Sequence, residues 1–272
     1  MLKKNINNKI LCILIVTFLA STGVMAEIIE VNFAYVGQND HAALLGVKQG
    51  LAESNLQGQF LNQKYNLDII STDDAATHDF SGYIAVLTAV DIDTFTKLSE
   101  NLSDIPVFNL TIGDDNLRTA CINNALHIIP SARMKADAIA QWKKKEAGSH
   151  ANAQAWHPDF VKFAARDLNK RFKKKNKTEM NDHSWAGWAA VKMTSDSVAR
   201  TKITDPAELL NYLKSKLTFD GQKGSNMNFR ETGQLRQLIL LVENEKIVAE
   251  APVRGIAKPP TLDSLGISSC EK

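Results

Sequence analysis

The stretch that decides the fold is Val31-Asn32-Phe33-Ala34-Tyr35-Val36, followed at once by Gly37-Gln38-Asn39-Asp40 and then by a long helical pattern from about His41 to Lys64. Five apolar residues in six read as a strand buried on both faces. The polar tetrapeptide reads as a loop, and Leu44, Val47, Leu51, Ala52 and Leu56 recur at helical spacing after it. Asp40 is the expected cap of that helix. A buried strand, a short loop and an amphipathic helix form the opening half of a β-α unit.

The alternation continues downstream. Leu67 to Ser71 and Tyr83 to Ala89 read as strands, and Asp91 caps a helix running to about Asn101. Pro106 to Leu110 and Leu126 to Ile129 are two more strands, the second leading through Ser131 into a helix over Ala132 to Lys145. Apolar strands separated by helices imply a parallel sheet covered on both sides. The fold class is α/β, a doubly wound parallel sheet, over residues 27–147.

Beyond Gly148 the character changes. Phe160 to Lys174, Ser184 to Arg200 and Pro206 to Lys214 are helical patterns with no strand expected among them, so 148–216 is a helical segment. From Leu217 to residue 258 the chain is β-rich, with Gly221 and Gly224 flanking a turn, then Met227-Asn228-Phe229, Leu235 to Val242 and Ile247 to Ala251. Residues 259–272 form a tail.

The amino terminus carries Lys3, Lys4 and Lys9, an apolar run from Ile10 to Ala20, and Val24-Met25-Ala26. This is the n-region, h-region and small-x-small pattern of a secretory signal, residues 1–26. The apolar run is shorter than the ~20 residues a membrane-spanning helix needs. The expectation is therefore export out of the cytoplasm, with cleavage near Ala26. Setting the three leader lysines aside leaves 29 basic against 30 acidic residues, a balance that implies no attraction to nucleic acid. The basic run Lys170 to Lys177 reads as a solvated helix end, where cations suit the carbonyl pole of the helix. With Cys12 removed, Cys121 and Cys270 remain. An even pair in an oxidising compartment suggests a disulfide, with two free thiols the alternative.

Chemistry-bearing motifs are sparse. The Gly37 loop has one glycine where a dinucleotide fingerprint needs three, and no phosphate-binding Gly-x-x-x-x-Gly-Lys run exists. The six histidines share no ligand spacing, and no Gly-x-Ser-x-Gly elbow occurs. Asp73, Asp74, His78 and Asp79 are the densest potential metal cluster, weighed against a plain acidic loop. Trp185 and Trp188 share a helix face, the pattern of core packing. No catalytic residue, cofactor or metal site is assigned. A non-enzymatic protein is the expectation.

Several runs carry a resemblance: Gly50 to Asn55, Gln57 to Phe60, Leu126 to Ser131, Ala155-Trp156-His157-Pro158, Phe219 to Lys223, Gly233-Gln234-Leu235-Arg236-Gln237 and Leu262 to Ile267. Together they resemble the type I periplasmic substrate-binding proteins of the branched-chain amino acid ABC transporter class, in the group associated with PQQ-dependent alcohol dehydrogenase systems. The similarity runs in order through nearly the whole mature chain. It implies a first lobe over 27–147, a helical segment that packs back on it, and a remnant of the second lobe over 217–258. Roughly 90 residues of that lobe would be absent between Lys145 and Ala155.

The resemblance also places Cys121 and Cys270 as matching the family's pair. It transfers ligand contacts only on the first-lobe side, to Tyr35, Gln38, Asn39, Thr88, Ala89, Asn109, Thr111 and Ser131. The implied ligand is a small polar solute. The implied partners are an ABC transporter permease, a periplasmic dehydrogenase or a second copy of the chain. The competing reading is a truncated protein-interaction module that has lost its solute.

Overall fold

The computed structural model describes residues 28–224 and 226–270. Strand β1 (Ile29–Gly37) leads into α1 (Ala42–Leu61), followed by β2 (Gln63–Ile70), β3 (Ala85–Ala89), α2 (Ile92–Asn101), β4 (Val107–Asn109), the short α3 (Asn116–Thr119), β5 (Ala125–His127) and α4 (Ala132–Lys145). These five strands form one parallel sheet in the order β2-β1-β3-β4-β5. Helices cover both faces. One core joins Phe33, Tyr35, Leu87, Phe108 and Leu126 to α1 and the later helices. The other joins Ala34, Val36, Val86 and Val107 to Phe95 and Leu98 of α2.

The rest of the chain adds β6 (Asn152–Gln154), α5 (Ala165–Asn176), α6 (Asp182–Thr201), α7 (Pro206–Ser215), β7 (Ile239–Glu243) and β8 (Lys246–Ala251). Strands β6, β7 and β8 make a small antiparallel sheet. Helix α4 closes one face of it, through Met134 and Ala138 against Ala153, Ile239, Leu241 and Ala251.

Helix α6 lies along α1, and the two run parallel: Gly46 faces Ser184, Gly50 faces Trp188 and Val191, and the Ser54 hydroxyl donates to Ser195 Oγ at 2.7 Å. Glycine sits at this crossing because a methyl at Gly46 would strike the Ser184 carbonyl, and one at Gly187 the Ala43 carbonyl. Backbone-to-backbone approach of this kind fixes both helix N-termini at the same end of the sheet.

The structure departs from the sequence reading in local detail. The α1 cap is His41, whose Nδ1 accepts from the Ala43 amide at 3.1 Å, and not Asp40. Helix α1 stops at Leu61, with Asn62 left-handed at φ 51°, so Gln63 and Lys64 belong to β2. The segment after Gly148, expected to lack strands, contains β6; three residues are too few for alternation to show. Asp91 and Ser131 do cap α2 and α4, each accepting from the amide three residues on.

The runs singled out at Gly233 to Gln237 and Leu262 to Ile267 are fasteners. Gln234 Nε2 donates to the carbonyls of His127 and Ile129, and residues 233–235 bridge to the outer edge of β5. Arg230 donates to the Leu262 and Ile267 carbonyls, and Arg236 pairs with Asp263 at 2.6 Å. The tail is further joined to the turn between α3 and β5 by the Cys121–Cys270 disulfide, with Cα atoms 6.1 Å apart. Residues 1–27, where the secretory leader is expected, lie outside the described residues. Among the described residues, no helix is long and apolar enough to cross a membrane.

Candidate functional site

In an open parallel sheet the ligand crevice lies outside the carboxyl ends of the strands, where the strand order reverses. Here the chain winds outward from β1 to β2 on one side and through β3 to β5 on the other, so the reversal falls between β1 and β3. Their last residues, Gly37 and Ala89, are register partners. Side chain at Gly37 is excluded by the Ala89 carbonyl, 2.8 Å from where a Cβ would sit. The residues of the loop that leaves this point, Gln38, Asn39 and Asp40, are exposed.

The eight expected ligand residues divide into two sets. Tyr35, Thr88, Asn109 and Ser131 are buried and engaged internally. The Thr88 hydroxyl donates to the Phe108 carbonyl at 2.8 Å. Asn109 Nδ2 donates to the Ile112 carbonyl, its Oδ1 accepts from the amides of Thr111 and Ile112, and it contacts His127 Nδ1 at 3.1 Å. Ser131 Oγ is committed to the Met134 amide. Burial, reinforced by the nearby Asp40 charge, pushes the Tyr35 phenol far above its ordinary range, and its hydroxyl leans toward the Gln38 carbonyl at 3.5 Å.

The second set is accessible. Gln38 and Asn39 are exposed, while Ala89 and Thr111 are half-buried. Gln38 and Asn39 line a cavity of about 450 Å³ with Gly37, Ile69, Ser71, Thr72, Asp73 and Asp74. The cavity gathers amide, hydroxyl and carboxylate groups, the donor set of a small polar ligand bearing an ammonium or hydroxyls. Asp74, His78 and Asp79 have local partners in Ser71, Tyr83 and Ser81, and among the described residues no group of three or more His, Cys, Asp or Glu side chains is gathered for a metal.

The structure brings to the same sheet end several groups that residue spacing did not reveal. His41, at the start of α1, stacks on His183 in the first turn of α6, with ring centroids 5.3 Å apart and planes 23° from parallel. Burial lowers the pKa of both rings. Beside them Asp182 accepts from the Trp156 amide at 2.9 Å and from Lys135 Nζ at 3.2 Å. Gln154, Trp156, Pro158 and residues Met180 to His183 line a second hollow of about 300 Å³.

Arg118 is the other unforeseen residue. Buried to 1% exposure, it donates to the carbonyls of Ile112, Asp114 and Ile129 and to Gln234 Oε1, at 2.8 to 2.9 Å. It thereby ties the loop after β4, carrying Thr111, to the loop after β5, carrying Ser131. Burial lowers its pKa to about 10, which leaves it charged at neutral pH.

No protein-family model and no curated protein sequence matches the chain. Solved structures do. A branched-chain amino acid ABC transporter periplasmic ligand-binding protein of Burkholderia xenovorans superposes with a TM-score of 0.65 at 11% identity, over 81% of this chain and 95% of that one. This chain has the type I periplasmic-binding-protein fold. An ABC transporter substrate-binding protein of Desulfitobacterium hafniense, in complex with leucine, shares the fold with a TM-score of 0.67 at 11% identity, over 80% and 99%. The substrate-binding protein of a Streptococcus pneumoniae branched-chain amino acid transporter, in complex with isoleucine, gives 0.63 at 10% identity, over 82% and 99%. The matched spans run through nearly the whole of those chains, so the expectation of a largely absent second lobe gains no support from them. Identities this low establish the periplasmic-binding-protein fold and leave the ligand to be argued from the site.

Proposed function

We propose that the protein is a solute-binding component of an ABC import system and captures a small polar solute, with an amino acid as the leading class, at the carboxyl ends of the parallel strands. The observation that carries this reading is the Gln38–Asn39 loop. It is exposed at the β1/β3 switch point, beside a polar cavity, within a fold whose solved relatives include leucine and isoleucine complexes. The partner is then a permease in the cytoplasmic membrane. The finer link to PQQ-dependent alcohol oxidation rests on the sequence resemblance, which makes alcohols, aldehydes and their acids the second group of solutes.

On this reading the strand ends of the parallel sheet form the capture surface, and the second lobe is reduced, as the sequence resemblance implies. Capture is accordingly shallow, and a second copy facing the first would enclose the solute. The test is a melting series of the exported protein against amino acids, short alcohols, aldehydes, acids and PQQ. A solute at 100 times its dissociation constant adds about 2.7 kcal/mol. If no compound moves the transition while a periplasmic dehydrogenase co-purifies, solute binding is lost and the chain is a protein-interaction module.

A further inference from the structure

Three lysines of the basic run that the sequence places at a helix end lie, with Arg166 ahead of them, along one face of α5. Arg166, Lys170, Lys174 and Lys177 follow one another at four-, four- and three-residue steps, within an arc of about 80° at 100° per residue. They span roughly 17 Å of helix and its cap. All four are exposed, and none makes a side-chain hydrogen bond or ion pair among the described residues. The other cations of the helix are occupied: Arg171 pairs with Glu53, Lys173 with Glu179, and Lys175 donates to the Lys48 carbonyl. The opposite face, Ala165, Leu168, Asn169 and Phe172, is buried and anchors α5 to the core.

At the head of this helix two apolar side chains are half-exposed, Val161 at 49% and Phe163 at 50%, with one side of the Phe163 ring lying over Gly224 and the other edge left to solvent. Phe163 and Ala164 both have left-handed backbone, φ 51° and 66°, a conformation costly for non-glycine residues that turns the loop sharply into α5. The remainder of the chain past residue 26 carries more acidic than basic residues, so the free cations are a local feature, not a reflection of net charge. A cationic helix face with a half-exposed aromatic and aliphatic pair beside it has the charge and apolar complement of an anionic bilayer surface.

We infer that the exposed face of α5, with the Val161–Phe163 loop, docks the protein on anionic phospholipid at the membrane surface. The four cations lie against lipid phosphates, and Phe163 enters the headgroup layer as aromatic rings do at membrane interfaces. Each cation contributes about fivefold to the partition coefficient at low ionic strength. Such docking would confine the protein to the membrane face, and it stands or falls independently of any solute at the strand ends.

The test is co-sedimentation of the exported protein, its N-terminus verified by mass, with vesicles of phosphatidylcholine alone or with about one third phosphatidylglycerol, in about 0.1 M salt. The expected result is binding that requires phosphatidylglycerol and weakens as salt rises. The variant K170E/K174E/K177E should bind more than tenfold more weakly. Phe163→Asn, which keeps a residue tolerant of left-handed backbone, should lower binding several-fold even where salt screens the charges. Melting curves that match the unsubstituted protein confirm that both variants are folded, and neutral K170Q/K174Q is the second variant if charge reversal perturbs folding. The inference is overturned by absence of vesicle binding, by equal binding to both vesicle types, or by charge and Phe163 variants that bind as tightly as the unsubstituted protein. An acidic protein captured without vesicle binding also overturns it.

Discussion

Lys223 Nζ stands 3.9 Å from the centroid of the Trp185 indole, donates to Gln237 Oε1 at 2.8 Å and to the Leu238 carbonyl at 3.0 Å, and is fully buried. Among the described residues it makes no hydrogen bond or ion pair with a carboxylate. Trp185 in turn stacks on Trp156 at 5.9 Å, and the Asp182 charge partly offsets the cost of burying the ammonium. This column of side chains joins the turn after α7, the entry to β7 and the first turns of α6.

Burial lowers the Lys223 pKa to about 7, against an ordinary 10.5. Between these values the unfolded chain holds a proton that the folded chain has released, so the Lys223 contribution to stability rises with pH across 7 to 10.5. Denaturant midpoints of the unsubstituted protein and Lys223→Met, compared at pH 7 and pH 10, should show the unsubstituted protein gaining a few kcal/mol relative to the variant. A constant difference would mean that Lys223 remains protonated throughout, held by its two acceptors and the indole face.

The His41–His183 pair acts in the opposite pH range. Both folded pKa values lie below the ordinary 6.5, burial being the main cause. The unfolded chain therefore takes up protons first as pH falls through about 6.5, and the pair's contribution is lost between there and the folded values. A second proton would also set two cations face to face at helix N-termini, which disfavour positive charge. His183→Asn should flatten the acid side of the pH–stability curve, measured by melting temperature from pH 7.5 to 5. His41→Asn, which preserves a cap, should do the same.

Parts of this architecture are legible in sequence and parts are not, for a physical reason. Local signals found the β1–α1 unit, the cap at Asp91, the entry into α4 through Ser131, and the α/β alternation, since all depend on residues within a few positions of each other. The stacking of His41 on His183 depends on the glycine crossing of α1 and α6, which no spacing rule contains. Lys223 reads as a turn lysine, and only the approach of Trp185 and Gln237 buries it. Arg118, three residues after Asp114-Asp115, carries no local signal of burial, whereas in the fold its donors are spent on carbonyls from two strand-end loops. Residues such as Thr88 and Asn109 were visible as polar groups at strand ends, and only their partners show that these polar atoms face inward.

The Cys121–Cys270 disulfide closes a loop of 149 residues, which in the chain-entropy model is worth up to about 4–5 kcal/mol. The tail is also held without it, by Arg230 on the Leu262 and Ile267 carbonyls and by Gln141 on Ser264. Replacing both cysteines by serine should therefore lower the denaturant midpoint while leaving a folded protein whose tail stays docked as far as Ile267. Two alkylatable thiols in protein taken directly from the periplasm would refute the bond.

The division of the expected ligand residues into buried and accessible sets makes the final prediction, because the two sets should fail differently when substituted. Ser131 Oγ satisfies the Met134 amide at the start of α4, so Ser131→Ala should cost about 1 kcal/mol of stability, the ordinary worth of such a cap. Its effect on solute affinity should be small and secondary to movement of the loop. Asn109 holds two amides and a carbonyl of the Thr111 turn, so Asn109→Ala should be more damaging to folding, leaving buried donors without partners. Asn39 and Gln38 make no such internal side-chain bonds among the described residues and face the cavity. Asn39→Ala and Gln38→Ala should leave the melting temperature of the solute-free protein unchanged and reduce the shift produced by whichever solute binds. Titration calorimetry on the four variants reads the two effects separately. If Asn39→Ala and Gln38→Ala bind normally while Thr111 or Ala89 variants do not, the solute sits toward β3 and β4 and the cavity beside β2 is not its site.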